Sequence, residues 1–156
     1  MVDLVQTIAA IGGACCPDDW DGSDMLSWLD DAQHPWKDCA LSDYYGHNIC
    51  SGMTMYRAGR YKYIYHARAD ATHGPERELY DLTTDPQEQQ DLADEPQHAQ
   101  RVAQLHAALC AELGEDPEAI EQRCRAELAA GCADLGPVGD CGSERISCGG
   151  GLLRVR

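Results

Sequence analysis

Apolar residues recur at helical spacing at the start of the chain and again in its last third. The first stripe consists of Leu4, Ile8 and Ile11, and the longest consists of Val102, Leu105, Leu109 and Leu113. Because one face of an α-helix repeats about every 3.6 residues, both stripes predict amphipathic helices. We expect the first helix over residues 4–11 with Asp3 as its cap, and the long one to start near Pro96 and stop at Gly114.

Two other helices are predicted from start and stop signals. Ser23 is placed to cap a short helix whose apolar residues are Met25, Leu26 and Leu29. Asp116-Pro117 starts the last helix, whose apolar face consists of Ile120, Cys124 and Leu128. We expect Gly131 to end it, since glycine commonly follows the last helical residue.

The middle of the chain has the pattern of β-strands. We predict strands over residues 40–45, 53–57, 60–66 and 78–82, and a tight turn at Ala58-Gly59 joins the second and third. In the third strand Tyr61, Tyr63 and Tyr65 share one face, and Lys62, Ile64 and His66 share the other. The tyrosine face is predicted to be the packed face of the sheet.

These elements predict an α+β fold, with a small antiparallel sheet of about four strands packed against helices. The organised region spans residues 1–131, with the sheet at 40–82 and the main helices at 96–130. Residues 132–156 are rich in Gly, Cys and Ser and show no periodicity. We expect them to form a poorly ordered tail.

Composition narrows the classes of partner. The 156 residues contain 27 acidic and 12 basic side chains, a net charge of −15. Phosphate backbones and anionic membrane surfaces bind basic patches, so we expect neither nucleic acid nor membrane as a partner. A membrane-spanning helix needs about 20 consecutive apolar residues, and the sequence has no such run.

Nine cysteines, an odd number, leave at least one thiol unpaired within a monomer. The sequence has no C-x-x-C, which disfavours a zinc knuckle or a thioredoxin-type pair. We expect mostly reduced cysteines and a cytoplasmic protein. The most plausible single disulfide joins Cys39 to Cys50.

Three segments, in order, resemble the C-terminal part of the sulfatase family, in the alkaline-phosphatase-like superfamily. Residues 2–7 read V-D-L-V-Q-T and residues 17–22 read P-D-D-W-D-G, similar to the family's V-D-L-V-P-T and P-D-D-x-D-G. Residues 42–47 and 55–65 resemble S-E-Y followed by M-x-R-x-G-x-Y-K-Y-I. Residues 78–93 resemble E-L-Y-D-L-x-x-D-P-x-E-x-x-N-L-A. The departures are Gln6 in place of Pro, Asp43 in place of Glu and Asp91 in place of Asn.

The resemblance implies sulfuric-ester hydrolysis in the complete family member. There, a formylglycine made within C-x-P-S-R is the nucleophile, and a calcium ion held by Asp and Asn neutralises the sulfate. This sequence contains no C-x-P-S-R; Cys15-Cys16-Pro17 begins like it but continues Asp18-Asp19. We therefore expect no catalytic residue, metal or cofactor in this chain, and no activity from the chain alone.

Side chains near the sheet remain candidates for lining a substrate pocket. His47 follows a predicted strand, Lys62 lies among aromatic residues, and Tyr45 ends the first strand. A surface histidine, and a lysine with its stem on the sheet, are the simpler interpretations. An acidic cluster at Asp18, Asp19, Asp21 and Asp24 has the composition of a calcium site but not the spacing of an EF-hand, which favours a solvated turn.

Two functions from different classes follow. One is a sulfatase-derived fragment that closes one side of a substrate pocket, with phosphonate or phosphate monoester hydrolysis as the variant within the same superfamily. The other is a non-catalytic acidic interaction module that keeps the fold without the chemistry. The first helix would normally cover a large catalytic sheet, so we expect self-association or docking to an N-terminal catalytic domain. A sulfate-ester substrate is expected only in a complete enzyme.

Overall fold

The computed structural model describes residues 2–15, 20, 22–45, 51–134 and 152–155. A single antiparallel sheet is its centre, with helices before and after it along the chain. The strands are β1 (Cys39–Tyr45), β2 (Met53–Ala58), β3 (Tyr61–His66), β4 (Glu76–Asp81) and β5 (Leu152–Val155). The helices are α1 (Val2–Ile11), α2 (Ser27–Asp30), α3 (Ala99–Leu113) and α4 (Pro117–Asp134). The α+β prediction is confirmed.

The sheet order is β4-β3-β2-β1-β5, and every neighbouring pair is antiparallel. Consecutive strands therefore lie side by side from β1 to β4, as expected for hairpin connections. Ala58 pairs with Tyr61, which places the two-residue turn at Gly59-Arg60, one residue later than predicted. Gly59 has φ +55°, a conformation that a tight hairpin turn requires and that glycine adopts without strain.

The tyrosine face of β3 packs against α3. Tyr63 is fully buried, and the hydroxyl of Tyr63 lies 3.1 Å from Nδ1 of His106 on α3. Leu105, Leu109 and Leu113 are the buried residues of the helix, so the predicted stripe is the one that docks. The main core lies between this helix face and the sheet, and it includes Leu79 of β4.

Helix ends follow the predicted signals in part. A 3₁₀ turn at Pro96–His98 leads into α3, and the helix ends at Gly114, whose φ of +78° is the left-handed C-cap conformation. The short helix starts at Ser27, and its first flanking residue is Leu26, not Ser23. The prediction that Gly131 ends the last helix is wrong, because α4 continues to Asp134. A glycine inside a helix costs only about 1 kcal/mol relative to alanine, and alanines flank it here.

Helix α1 is held through its polar side. Asp3 lies in the first turn and does not cap the helix; its Oδ1 accepts hydrogen bonds from the Ser23 N–H and from Lys37 Nζ. Thr7 Oγ1 donates to the carbonyl of Asp3 and accepts from the Met25 N–H. These hydrogen bonds hold the segment after the helix against one side of α1. The opposite side of α1 faces outward.

The sheet of about four strands was expected, and the described residues contain one further strand. Residues 152–155 form β5 and pair with β1, within the part of the chain where we expected a poorly ordered tail. The expectation for residues 135–151 and 156 stays a prediction, since they lie outside the described residues. No helix within the described ranges is long and apolar enough to cross a membrane.

Candidate functional site

The three predicted pocket residues do not form one site in the described structure. His47 lies outside the described residues. Tyr45 and Lys62 lie on opposite faces of the sheet: the face of Tyr45 also carries Thr54 and Tyr65, and Lys62 lies on the other. A role for any of them in substrate binding stays a prediction.

Tyr45 is a core residue with a satisfied hydroxyl. It is buried, and its hydroxyl lies 3.0 Å from Thr54 Oγ1. Burial raises the pKa of Tyr45 to about 12, although the Thr54 hydrogen bond opposes that rise. Gly52 is required beside it, because a Cβ there would overlap the tyrosine ring and approach Glu121. This environment suits packing better than ligand contact.

Lys62 is half-buried and paired with a carboxylate. Its Nζ donates to Glu88 Oε2 at 2.5 Å. Glu88 has φ +56°, which is unusual for a non-glycine residue. Asp85 supports that turn, because its Oδ2 accepts hydrogen bonds from the N–H groups of Gln89 and Gln90. The loop after β4 thus brings the Glu88 carboxylate to Lys62, and this contact neutralises the charge of the lysine.

A second carboxylate on the same face of the sheet links β3 and β4. His66 Nε2 lies 2.6 Å from Glu78 Oε1, and the Tyr80 hydroxyl donates to Glu78 Oε2 at 2.5 Å. Partial burial alone would raise the pKa of Glu78, but the hydrogen bonds from Tyr80 and His66 prevail and lower it. The hydrogen bond from Tyr80 to Glu78 also raises the pKa of the Tyr80 hydroxyl. A carboxylate held in its charged form is a poor general acid at neutral pH.

The Lys62–Glu88 pair and the cluster of His66, Glu78 and Tyr80 lie on the sheet face opposite α3 and make that face polar. We call Lys62, His66, Glu78, Tyr80 and Glu88 the polar face. Lys62 and His66 each already contact an acid, so an incoming anion must compete with Glu88 for Lys62 or with Glu78 for His66. The arrangement ties the loop after β4 and the two strands together, and it supplies no activated nucleophile.

His106 and Cys110 form the most reactive-looking pair on the other face. His106 Nε2 lies 3.8 Å from Cys110 Sγ, one turn apart on α3. Burial lowers the pKa of His106 and raises the pKa of Cys110. Both shifts favour the neutral forms, whereas a catalytic thiolate needs a lowered thiol pKa. The pair is best described as packed polar groups beneath Tyr63.

Metal ligands do not converge in the described parts of the chain. No three His, Cys, Asp or Glu side chains among residues 2–15, 20, 22–45 and 51–130 lie close enough to hold an ion. The calcium implied by the sulfatase resemblance is expected of complete family members, and a ligand set for it is not found among these described side chains. Of the acidic cluster only Asp24 is described, and its Oδ1 accepts the Leu26 N–H. Cys39 is a free thiol, and Cys50 lies outside the described residues.

The outward side of α1 is a different kind of candidate. Its apolar residues are largely exposed: Leu4 47%, Val5 53%, Ile8 59% and Ile11 69%. We call these four residues the α1 face. A contiguous apolar face of this kind marks an interaction site in a folded protein, because water contact there is unfavourable.

Sequence reasoning missed the acids that occupy the polar face. The sequence pattern places Glu78 at the start of the fourth predicted strand and predicts no partner for Glu78 or Glu88. The strand alternation carried part of the signal, because Lys62 and His66 share a face with Glu78 and Tyr80 once β3 and β4 are paired. The contact between Lys62 and Glu88 depends on the positive φ of Glu88, which the strand pattern does not predict.

A family model described as N-sulphoglucosamine sulphohydrolase, C-terminal, matches residues 1–115. No protein with a curated description matches the sequence. Solved structures that share the fold include the following three. A 2-O GAG sulfatase has a TM-score of 0.60 at 23% identity, and the match covers 82% of this chain and 26% of that one.

The second is a protein in complex with its substrate D-glucosamine-2-N,6-O-disulfate, with a TM-score of 0.63 at 21% identity, covering 74% of this chain and 25% of that one. The third is the phosphonate monoester hydrolase of Agrobacterium radiobacter, with a TM-score of 0.54 at 22% identity, covering 70% and 24%. The chain therefore spans about a quarter of the length of each of these three structures.

Proposed function

Since the chain belongs to the family of N-sulphoglucosamine sulphohydrolase C-terminal regions, we propose that it is the C-terminal part of a sulfuric-ester hydrolase. In this proposal the nucleophile and the calcium site belong to a catalytic part that precedes it, and this region closes one side of the substrate pocket. The observation that carries the proposal is the family match over residues 1–115.

The geometry of α1 supports the same assignment. Asp3 and Thr7 fasten one side of the helix to the segment that follows it, and the α1 face points away from that segment. Burying apolar surface is worth about 25 cal/mol per Å², so a partner surface over these four side chains gains stability. The catalytic part is the partner that this proposal supplies.

The chain alone is expected to be inactive. Its sequence has no C-x-P-S-R, and the thiols with resolved shifts, Cys110 and Cys124, have raised pKa values because they are partly buried. Removal of a nucleophile normally costs several orders of magnitude in rate. The test is hydrolysis of a chromogenic aryl sulfate by the purified chain, with and without calcium.

The expected result is no turnover above buffer. Cys15→Ala is the matched control, because Cys15 is exposed and begins the triplet that mimics the nucleophile motif. Calcium-stimulated turnover that survives repurification and disappears in Cys15→Ala would overturn the proposal. An arm with a phosphonate monoester tests the related chemistry, and turnover of that ester alone would move the assignment to phosphonate hydrolysis.

A further inference from the structure

The C-terminal strand lies beyond the region that the family model matches. That match ends at residue 115, whereas β5 comprises Leu152–Val155. Its register with β1 pairs Ser42 with Val155 and Tyr45 with Leu152. The strand therefore adds a feature of this chain to a sheet whose other four strands belong to the family region.

β1 is the strand that β5 covers, and β1 carries buried residues. Leu41 and Asp43 are each 2% exposed and Tyr45 is 8% exposed. Without β5, β1 would be the edge of the sheet. An edge strand presents unpaired N–H and C=O groups that accept another extended segment, which is a risk that proteins manage by covering the edge.

The register also aligns a position of opposite charge in the sequence with an acidic position of β1. Arg154 is the register partner of Asp43, and apolar residues stand at the other three positions of β5. Opposite charges at directly paired positions of adjacent antiparallel strands are stabilising, and like charges are destabilising. The edge of β1 is therefore matched to a strand with one basic residue at that position.

We propose that the outer edge of β1 is a binding site for an extended, mostly apolar segment with a basic residue opposite Asp43, and that residues 152–155 are its built-in ligand. The chain thereby blocks its own edge against strands from other molecules. Main-chain hydrogen bonds give affinity in this mode of recognition, and the side-chain pattern gives selectivity. The proposal does not depend on the proposed enzymatic function.

The test uses the full chain with Arg154→Glu, which puts a like charge opposite Asp43. Arg156→Glu is the matched control, because it makes the same charge change one residue beyond the paired segment. Hydrogen exchange of the β1 amides is measured in both variants and in the unchanged chain. We expect exchange in β1 to become about tenfold faster or more in Arg154→Glu only, because the covering strand detaches more often.

A second measurement follows binding of a labelled synthetic peptide of residues 151–156. We expect the peptide to bind Arg154→Glu and not the unchanged chain or Arg156→Glu, whose own strand occupies the edge. Equal β1 exchange in both variants, or peptide binding that is the same in all three proteins, would overturn the proposal.

Discussion

Leu109→Ala is the substitution that most directly probes how the core is held. Leu109 lies on α3, is fully buried, and is among the largest side chains with no exposed surface. Truncating a buried leucine removes its transfer free energy and leaves a cavity, which costs about 2–5 kcal/mol. Complete burial places this site in the upper part of that range. A protein of this size has a free energy of unfolding of about 5–15 kcal/mol, so the variant should remain folded but lose much of its margin.

Urea unfolding measures the change. With a denaturant slope of about 2 kcal/mol per M, a loss of about 4 kcal/mol lowers the midpoint by about 2 M. The matched control is Gln104→Ala on the exposed side of the same helix, which should move the midpoint little. Equal shifts in the two variants would mean that α3 does not dock on the tyrosine face.

Asp81→Asn should destabilise the chain at neutral pH and progressively less in acid, because the Arg60 hydrogen bonds hold the pKa of Asp81 below its usual range. The stability that the Asp81 carboxylate contributes is fully present above the unfolded pKa of about 4, and it is lost as pH falls through the lower folded pKa. The pH dependence of the urea midpoint measures this, and a constant difference between variant and parent would contradict it. Tyr45 and Tyr63, whose pKa values burial raises to about 12, should contribute almost no phenolate absorbance at pH 10 in the folded chain. A free tyrosine has a pKa of about 10 and is about half ionised there, so an absorbance equal to that of seven half-ionised tyrosines would refute their burial. Gly52→Ala should lower the midpoint because its Cβ would overlap Tyr45, whereas Gly74→Ala meets only the flexible end of Arg68; equal effects would contradict the packing described. In size-exclusion chromatography the purified chain should elute larger than a 17.1 kDa monomer, and the double substitution Ile8→Glu with Ile11→Glu should reduce the apparent mass. Elution of the unchanged chain as a compact monomer would refute self-association through the α1 face.

Much of the fold could be predicted from local patterns. The tyrosine alternation in β3 and the leucine stripe of α3 each repeat with the period of their element, so their buried faces follow from the sequence. The glycine at 114 ends α3 with a positive φ, as the sequence suggested. Such features depend on residues close in the chain, which is why pattern reasoning finds them.

The features that were missed depend on distant contacts or weak patterns. Strand β5 has four residues and pairs with a strand more than a hundred positions earlier, and nothing in its own sequence names that partner. Helix α4 passes Gly131 because its alanine-rich neighbours sustain it. Lys62 was singled out, but its pairing with Glu88 requires the unusual turn after Pro86, which a one-dimensional pattern does not predict.

The native protein can be captured with an antibody against the sequence of α3, and its intact mass and peptide map can then be measured. These data decide between a part of an enzyme and a separate interaction module. The proposed function predicts a chain much heavier than 17.1 kDa, in which a peptide with C-x-P-S-R, or its formylglycine form, precedes Val2. A native mass of 17.1 kDa with no such peptide would contradict it and favour an acidic interaction module that keeps the family fold without its chemistry.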